Sequence, residues 1–536
     1  MSFGFDSGIL QDMKIGYWVL LILALLGIAD AGYLTLEHFR MIVLPCPAHP
    51  SIWIDCGAVL RSKYAVLFGI PLAVWGLVNY GLMLFLLAWA TYGKKRWARY
   101  IVLGQSAVGI VMSGYFVYLQ LGIIHEICLY CMGSALISTL LFVCSEMMFY
   151  AERKRLIITA GRWVYACILK PIFFQMDPEI IHTTMTRSGE TMGRLPGMKK
   201  VMRIMVKQNL PILYQKLLEI DFEGPIGLAA GFDYEARLTQ ILEPLGFGFQ
   251  SIGTITNTAC EGNDKPRLGR LPKSLSLMVN KGFRNPGVAV VVQKLAGKEF
   301  RIPVGISVGR TNVKQEMSEK EVIDDIVMTF KRLGWAKLKN AYYELNISCP
   351  NLYGSVSFYP EVALNRLLTA VDKLKLTKPV FIKMPINETN KDVLKMLAVI
   401  AKHSPAGVIF GNLQKDRKNP ALDPDEVAKW NVGNFSGRPT YERSNELIAL
   451  AYKKYKKRFV IIGCGGVFSA QDAFVKIKKG ASLIQMITGM IYKGPQLISD
   501  INLGLSDLLE KEGYKNISEA VGTESSKKHN QRLELY

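Results

Sequence analysis

Residues 17–36, 66–90, 100–123 and 127–150 are four nearly charge-free runs of about 20–25 positions. Each is long enough, as an α-helix, to cross roughly 30 Å of hydrocarbon, so the pattern predicts four transmembrane helices. After about residue 150 the pattern changes, and short β-rich runs alternate with helical ones. The strands fall at 226–231, 247–255, 303–309, 342–348, 379–384, 407–412, 459–466 and 482–489. Eight strands with intervening helices indicate an α/β (β/α)8 barrel, whose chemistry sits at the C-terminal strand ends. The expected organisation is multidomain: a four-helix transmembrane bundle over 1–155, a linker and membrane-associated helical extension over 156–222, and a barrel over 223–536.

The first apolar run follows a segment whose only basic residue is Lys14, and no small-residue cleavage site comes after it. It is therefore expected to stay as an anchor rather than leave as a signal peptide. The net charge of +21 raises the question of nucleic acid. No basic–aromatic motif or nucleic-acid module accompanies it, and many basic residues flank the apolar runs, so attraction to anionic lipid headgroups is the better account. The same charges orient the chain. Lys94, Lys95, Arg96 and Arg99 lie between the second and third runs, and Arg153, Lys154, Arg155 and Arg162 follow the fourth, whereas 122–126 has no Lys or Arg. Both termini are expected on the cytoplasmic side, making this a multi-pass cell-membrane protein with a cytoplasmic barrel.

That orientation puts Cys46, Cys56, Cys128 and Cys131, four of nine cysteines, on the outer, oxidising side, where disulfides persist. Cys128-Leu129-Tyr130-Cys131 opens the fourth run. A vicinal pair at a helix N-terminus suits dithiol chemistry, because the helix dipole and free amides stabilise a thiolate and one thiol can resolve a mixed disulfide. A structural or metal-binding pair is the alternative, but no second Cys-x-x-Cys or His pair completes a zinc site, so no metal is expected. Cys144, inside the fourth run, reads as a buried apolar residue.

The loop pair, followed by Cys56-Gly57-Ala58-Val59-Leu60-Arg61-Ser62-Lys63-Tyr64, Phe68-Gly69-Ile70-Pro71 and the Cys-x-x-Cys, resembles the vitamin K epoxide reductase family over nearly all of residues 15–150. The resemblance implies that Cys128 and Cys131 reduce a quinone within the helix bundle. It makes Cys46 and Cys56 a shuttle pair that takes electrons from a thioredoxin-like partner outside, so the module would support disulfide formation. Ser62 becomes a quinone-side polar contact, with a helix-capping or back-bonding serine as the alternative.

In the second half, Gly463-Cys464-Gly465-Gly466 after the seventh strand and Thr488-Gly489 after the eighth suit a phosphate cradle, because glycine lets backbone amides approach an anion. The most specific motif is Leu345-Asn346-Ile347-Ser348-Cys349-Pro350-Asn351 at the end of strand four. Together with Gly227-Leu228-Ala229-Ala230-Gly231-Phe232-Asp233, Gly253-Thr254-Ile255-Thr256, Gly262-Asn263-Asp264-Lys265-Pro266-Arg267, Phe381-Ile382-Lys383, Ser436-Gly437-Arg438-Pro439 and Lys493-Gly494-Pro495, it resembles dihydroorotate dehydrogenase over about residues 165–515. Residues 170–220, with Asp177-Pro178-Glu179-Ile180-Ile181-His182, are similar to the quinone-dependent class 2 enzymes, which bind FMN on the barrel and admit quinone through an N-terminal helical tunnel.

By that resemblance Ala229, Ala230, Gly231, Gly253, Thr254, Lys383, Ser436, Gly437, Gly465, Gly466, Thr488 and Gly489 hold FMN, and Asn346, Asn351 and Asn412 bind a dihydroorotate-like substrate. Lys383 has its own logic as a cation beside the flavin N1–O2 edge, since an unpaired buried ammonium is costly. Cys349 is the implied general base, where class 2 enzymes generally carry Ser and class 1 enzymes Cys; a buried structural Cys is the alternative. A thiol is the easier base, with an unperturbed pKa near 8.5.

Four positions depart from the family pattern. Tyr234 replaces a Lys that contacts substrate and flavin, and Asn280 stands two rather than three residues before Gly282-Phe283. Ser307 replaces an Asn after strand three, and Leu352 replaces a Thr. A polar site that loses donors loses discrimination steeply. The expected function is thus a bifunctional quinone-reducing oxidoreductase that takes electrons from protein dithiols and, through FMN, from dihydroorotate in pyrimidine biosynthesis. The alternatives are a barrel acting on another substrate, or a degenerate FMN-binding scaffold beside an active thiol module.

Overall fold

The computed structural model describes residues 6–40, 54–92 and 96–525; Cys46, Lys94 and Lys95 lie outside them. The chain divides into two compact units, Met1–Ile157 and Ile158–Tyr536.

In the first unit, α1 (Asp6–Arg40) packs on α2 (Leu72–Tyr92) and α4 (Leu129–Met148), and α3 (Arg96–Leu119) packs on α2 and α4. Leu20, Ala24, Tyr80, Met83, Leu87, Val102 and Leu141 form the buried seam. Gly27 is required there, since a Cβ would come within 2.5 Å of the Tyr80 ring. The ring so admitted places its hydroxyl 2.8 Å from Ser134 Oγ and 2.9 Å from Ser138 Oγ on α4. Phe68 and Gly69, with φ 53° and 78°, turn a short hairpin of Val66–Leu67 and Ile70–Pro71, as left-handed two-residue turns do.

Five described helices are long and apolar enough to cross a membrane, one more than the charge-free runs predicted. The additional span, Glu152–Gln175, consists of α5 (Tyr150–Val164) continued through Tyr165–Leu169 and Lys170–Gln175. Arg153, Lys154, Arg155 and Arg162 mark the end of a bundle in the sequence, yet apolar residues resume at once, from Leu156 to Ala160 and from Trp163 to Leu169.

The second unit contains the closed parallel barrel, its strands neighbours in chain order: β1 (Ile226–Leu228), β2 (Phe249–Ile255), β3 (Val304–Val308), β4 (Tyr342–Asn346), β5 (Val380–Met384), β6 (Gly407–Phe410), β7 (Val460–Cys464) and β8 (Leu483–Met486). Most strand positions are buried, as a sheet covered on both faces requires. A hairpin of Gln215–Leu217 and Ile220–Phe222 accompanies an apolar plug in which Phe222 meets Phe249 edge-on at 5.6 Å. Above it, inside the barrel, Glu344 accepts hydrogen bonds from Ser251 and Gln485. Helices α6 (Pro178–Arg194) and α7 (Met198–Met205) precede the barrel, and Asp177 caps α6 through the Glu179 and Ile180 amides.

Candidate active sites

Cys128 is the N-cap of α4: its Sγ accepts from the Cys131 amide at 3.4 Å, and its own amide donates to Gln120 Oε1 at 2.8 Å. The cap arrangement aims helix amides at sulfur, the geometry that favours a thiolate. Cys128 is fully buried, in one small cluster with Cys56, Leu34 and Val59. A single parallel bridge between Ile54 and Ile127 carries Cys56 to this place. Cys56 is disulfide-bonded, while Cys128 and Cys131 are free thiols. Cys131, unlike Cys128, lines a cavity among the helices that also meets Ser62, Asn79, Tyr80, Gln105 and Ser134. The Ser62 hydroxyl donates to Val59 O at 2.8 Å, so it is back-bonded, and only its oxygen is left to face the cavity.

In the second unit the predicted barrel residues converge. Ala229, Ala230 and Gly231 after β1, Gly253 and Thr254 in β2, Asn346, Cys349 and Asn351 at and beyond the end of β4, Lys383 in β5 and Asn412 after β6 all line one cavity. Ser436, Gly437, Gly465, Gly466, Thr488 and Gly489 complete it. A hydrogen-bonded chain ties the strand ends together: Asn412 Nδ2 donates to Ser348 Oγ at 2.6 Å, Ser348 Oγ to Asn346 Oδ1 at 3.1 Å, and Asn346 Nδ2 to Thr254 Oγ1 at 2.9 Å. Thr254 in turn meets Ser307 Oγ at 3.0 Å. Asn351 is held from both sides, donating to Val279 O and accepting from Asn434 Nδ2.

The cavity is built for an anion. Gly465 and Gly466 have φ of 99° and 72°, and a Cβ on either would stand 2.3–2.4 Å from Thr440 or Tyr441. A Cβ at Gly489 would be 2.1 Å from Val467 O. Only glycine fits these turns, which leave bare backbone toward the cavity. Beside them Ser436 Oγ and Thr488 Oγ1 pair at 2.9 Å. Lys383 is 5% exposed and has no hydrogen-bond acceptor among the described residues. A buried ammonium without a partner is costly, and one turned into a cavity is a receptor for a ligand's negative charge. Among the described residues no Asp or Glu lines the cavity, whereas Lys281, Arg284 and Lys383 do. These residues fit FMN, whose phosphate suits the glycine turns and whose pyrimidine edge suits Lys383.

Burial pushes the Cys349 thiol up to about 11, against the pull of the Asn351 amide and of the Lys383 and Arg310 cations. It is a far more reluctant base than an unperturbed cysteine.

A family model for dihydroorotate dehydrogenase matches residues 212–509. The chain belongs to the dihydroorotate dehydrogenase family. The vitamin K epoxide reductase family matches residues 18–145, so this dehydrogenase-family chain carries a second redox domain and is an oxidoreductase on both counts. The chain is 32% identical to dihydroorotate dehydrogenase (quinone) of Corynebacterium efficiens over 365 residues, 68% of this chain and 95% of the relative. It is 33% identical to the Trichormus variabilis enzyme of the same name over 377 residues, 67% of this chain and 99% of the relative. A crystal structure of Eimeria tenella dihydroorotate dehydrogenase in complex with ferulenol superposes with a TM-score of 0.58 at 26% identity, covering 65% of this chain and 95% of that one.

One wall of the cavity is formed by residues that the motifs did not single out as site residues. His182 of α6 lines it together with Tyr234, Lys281 and Arg284. His182 Nε2 donates to Phe232 O at 2.8 Å, and its ring stacks on Tyr234 at 5.1 Å. Burial and the nearby Lys281 charge lower His182 to about 3, so the ring stays neutral with Nδ1 as an acceptor. Asn280 does not line the cavity. It turns to the loop below, accepting from Asn263 Nδ2 at 2.9 Å. The sequence signals for this wall were the departures at 234 and 280 and the motif that ends at His182.

Proposed function

We propose that the chain is a membrane-bound bifunctional enzyme that reduces quinone from two donors, dihydroorotate at the barrel and protein dithiols at the helix bundle. The observation that carries the barrel half is the cavity itself, a pocket at the strand ends lined by cations and, among the described residues, by no Asp or Glu, with a glycine cradle and with Cys349 within the influence of Lys383. FMN bound there would supply the hydride acceptor and the onward path of electrons to quinone. The chain's own residues do the rest. Lys383 offers positive charge where the cofactor gains electrons. Asn346, Asn351 and Asn412, fixed by their protein partners, orient a planar pyrimidine, and the Cys349 thiolate takes the proton that must leave the carbon next to the hydride donor. Oxidation of dihydroorotate to orotate releases one hydride and one proton, which this division accommodates.

The helix bundle is read the same way. Cys131 faces the intramembrane cavity and Cys128 stands behind it in contact distance of the Cys56 cluster. The two thiols become a disulfide as a quinone gains two electrons and two protons, and the loop pair Cys46–Cys56 would return the electrons from a thioredoxin-like protein. The basic clusters at 94–99 and 153–155 support placing this thiol face outside and the barrel in the cytoplasm, which requires the Glu152–Gln175 helix to lie along the membrane surface rather than cross it.

The test is anaerobic. Purified protein should be yellow and hold FMN, and dihydroorotate should bleach it; a protein that holds FMN but is not bleached would reassign the substrate. The replacement of expected polar partners by Tyr234 and Ser307 favours weaker substrate binding than the full family set of contacts gives. Sidedness is read with a membrane-impermeant thiol reagent on intact cells after mild reduction, which should label the Cys46–Cys56 loop and spare Cys464.

A further inference from the structure

The residue shift at Asn280 and the substitution at Tyr234 meet at one place, the contact between Lys281 and Tyr234. The strand Ser276–Val279 pairs with Leu268–Leu271 and with Asn434–Phe435, so its side chains alternate between two faces. Leu277, Val279 and Lys281 line the cavity, whereas Met278 is buried on the other face with Leu271 and Phe435, and Asn280 follows it away from the cavity. Because the side-chain period is two, a displacement by one residue exchanges the face on which each side chain lies. Asn280, two residues before Gly282-Phe283, therefore keeps its amide off the cavity, while the ammonium of Lys281, one residue before, lines it.

We infer that Lys281 is the cation that binds the carboxylate of the substrate in this chain, in place of the lysine that Tyr234 has displaced. The inference rests on the dihydroorotate reading of the barrel. Lys281 Nζ is 3.1 Å from the Tyr234 hydroxyl and 4.9 Å from its ring, and the Tyr234 hydroxyl is 3.1 Å from His182 Nδ1. With His182 neutral and its Nε2–H committed to Phe232 O, the polarity is fixed: Tyr234 donates to His182 and accepts from Lys281. Lys281 is therefore steered into the wall of the cavity with N–H donors to spare. Its counter-ion is weakly engaged, since Glu179 Oε1 stands 3.6 Å from Lys281 and 3.7 Å from Arg284, and that oxygen has no hydrogen-bond partner. One carboxylate faces two cations here, leaving net positive charge for an anion. Tyr234 and His182 are positioning residues; Lys281 is the one that would touch substrate.

The groups that set the ionisation of Lys281 are Glu179 and His182 of α6, Tyr234 of the loop after β1, and Arg267 and Arg284 beside it. Burial outweighs Glu179 and brings the ammonium down to about 8, while Tyr234 is pushed up to about 12 by burial and stays a neutral phenol. Lys281 carries its charge below about pH 8 and loses it above, so anion binding should weaken as pH rises through that value.

The experiment uses the FMN-loaded full-length protein in detergent, with orotate binding read from the perturbed flavin spectrum and dihydroorotate turnover read in parallel. Lys281→Met should weaken orotate binding and raise KM by at least about tenfold at pH 7, the scale of one charge-assisted hydrogen bond, with kcat and FMN content little changed. Lys281→Arg should retain binding and hold it constant well above pH 8, where the wild type declines. Tyr234→Lys combined with Lys281→Met should restore binding at pH 7. Wild-type turnover of dihydroorotate together with unchanged orotate affinity in Lys281→Met overturns the assignment of Lys281 and leaves the dehydrogenase reading intact. A wild type that neither binds orotate nor turns over dihydroorotate overturns both.

Discussion

Cys349→Ala, studied across a pH series in the FMN-loaded protein, separates a catalytic thiol from a packed one. Only the thiolate can accept a proton, and burial holds this thiol at about 11. At pH 7 the reactive fraction is then about 10⁻⁴, and it grows tenfold with each unit of pH. The four-unit gap to neutrality corresponds to about 5 kcal/mol withheld from the base, at about 1.4 kcal/mol per unit. In anaerobic stopped-flow mixing with dihydroorotate kept saturating at each pH, the logarithm of the flavin-bleaching rate should climb with a slope near one from about pH 7 to about pH 10 and level off beyond. Cys349→Ala should keep FMN, lose at least about 10²-fold in rate, the usual contribution of a general base, and lose the slope as well. Cys349→Ser should keep partial activity with its pH optimum displaced upward, because a hydroxyl ionises with more difficulty than a thiol. A wild-type rate that ignores pH, or a Cys349→Ala rate within about twofold of wild type, would show that the proton goes elsewhere and that Cys349 only packs.

Lys383→Met should lower FMN affinity or flavin-bleaching rate by about 10–100-fold, the worth of a charge-assisted bond of about 1.5–3 kcal/mol, measured by equilibrium dialysis and stopped flow; unchanged values would remove Lys383 from the cofactor site. Gly489→Ala should yield protein short of FMN, because the new Cβ meets Val467 O at 2.1 Å; full stoichiometry by absorbance would contradict the cradle. Cys131→Ala should abolish quinone reduction by a reduced thioredoxin-like protein while leaving dihydroorotate-driven bleaching at the wild-type rate, and persistence of dithiol turnover would sink the thiol assignment.

Much of the barrel site was legible because its signals are local. Glycines that tolerate no Cβ, Asn346 and Cys349 at one strand end and Lys383 in the next strand are each visible in a window of a few residues, and the closed barrel brings those windows to one cavity. The helix bundle was legible for the same reason, a charge-free run being a local property. The fifth apolar span was not, because the basic residues of α5 look like the flank of a finished bundle while the apolar face resumes beyond them. Nor could the difficulty of ionising Cys349 be read from the chain, since burial is a property of the fold and acts against the proximity of Lys383.

Lys281 shows where local reading stops. Its sequence neighbours mark it as an ordinary basic residue before a glycine, and its meaning depends on three facts that only the fold supplies: the register that aims it inward, its contact with Tyr234 on the same wall, and the neutral His182 that fixes the direction of the hydrogen bonds between them. Read separately, the changes at 234 and 280 look like two losses from a substrate site and argue for decay. Read together they conserve the cavity's positive charge while moving its source from the loop after β1 to Lys281, just beyond the strand Ser276–Val279. Random loss would not be expected to keep acidic residues off the lining or to supply a replacement cation within 3.1 Å of the substituted side chain. The geometry favours a working anion site over a degenerate scaffold.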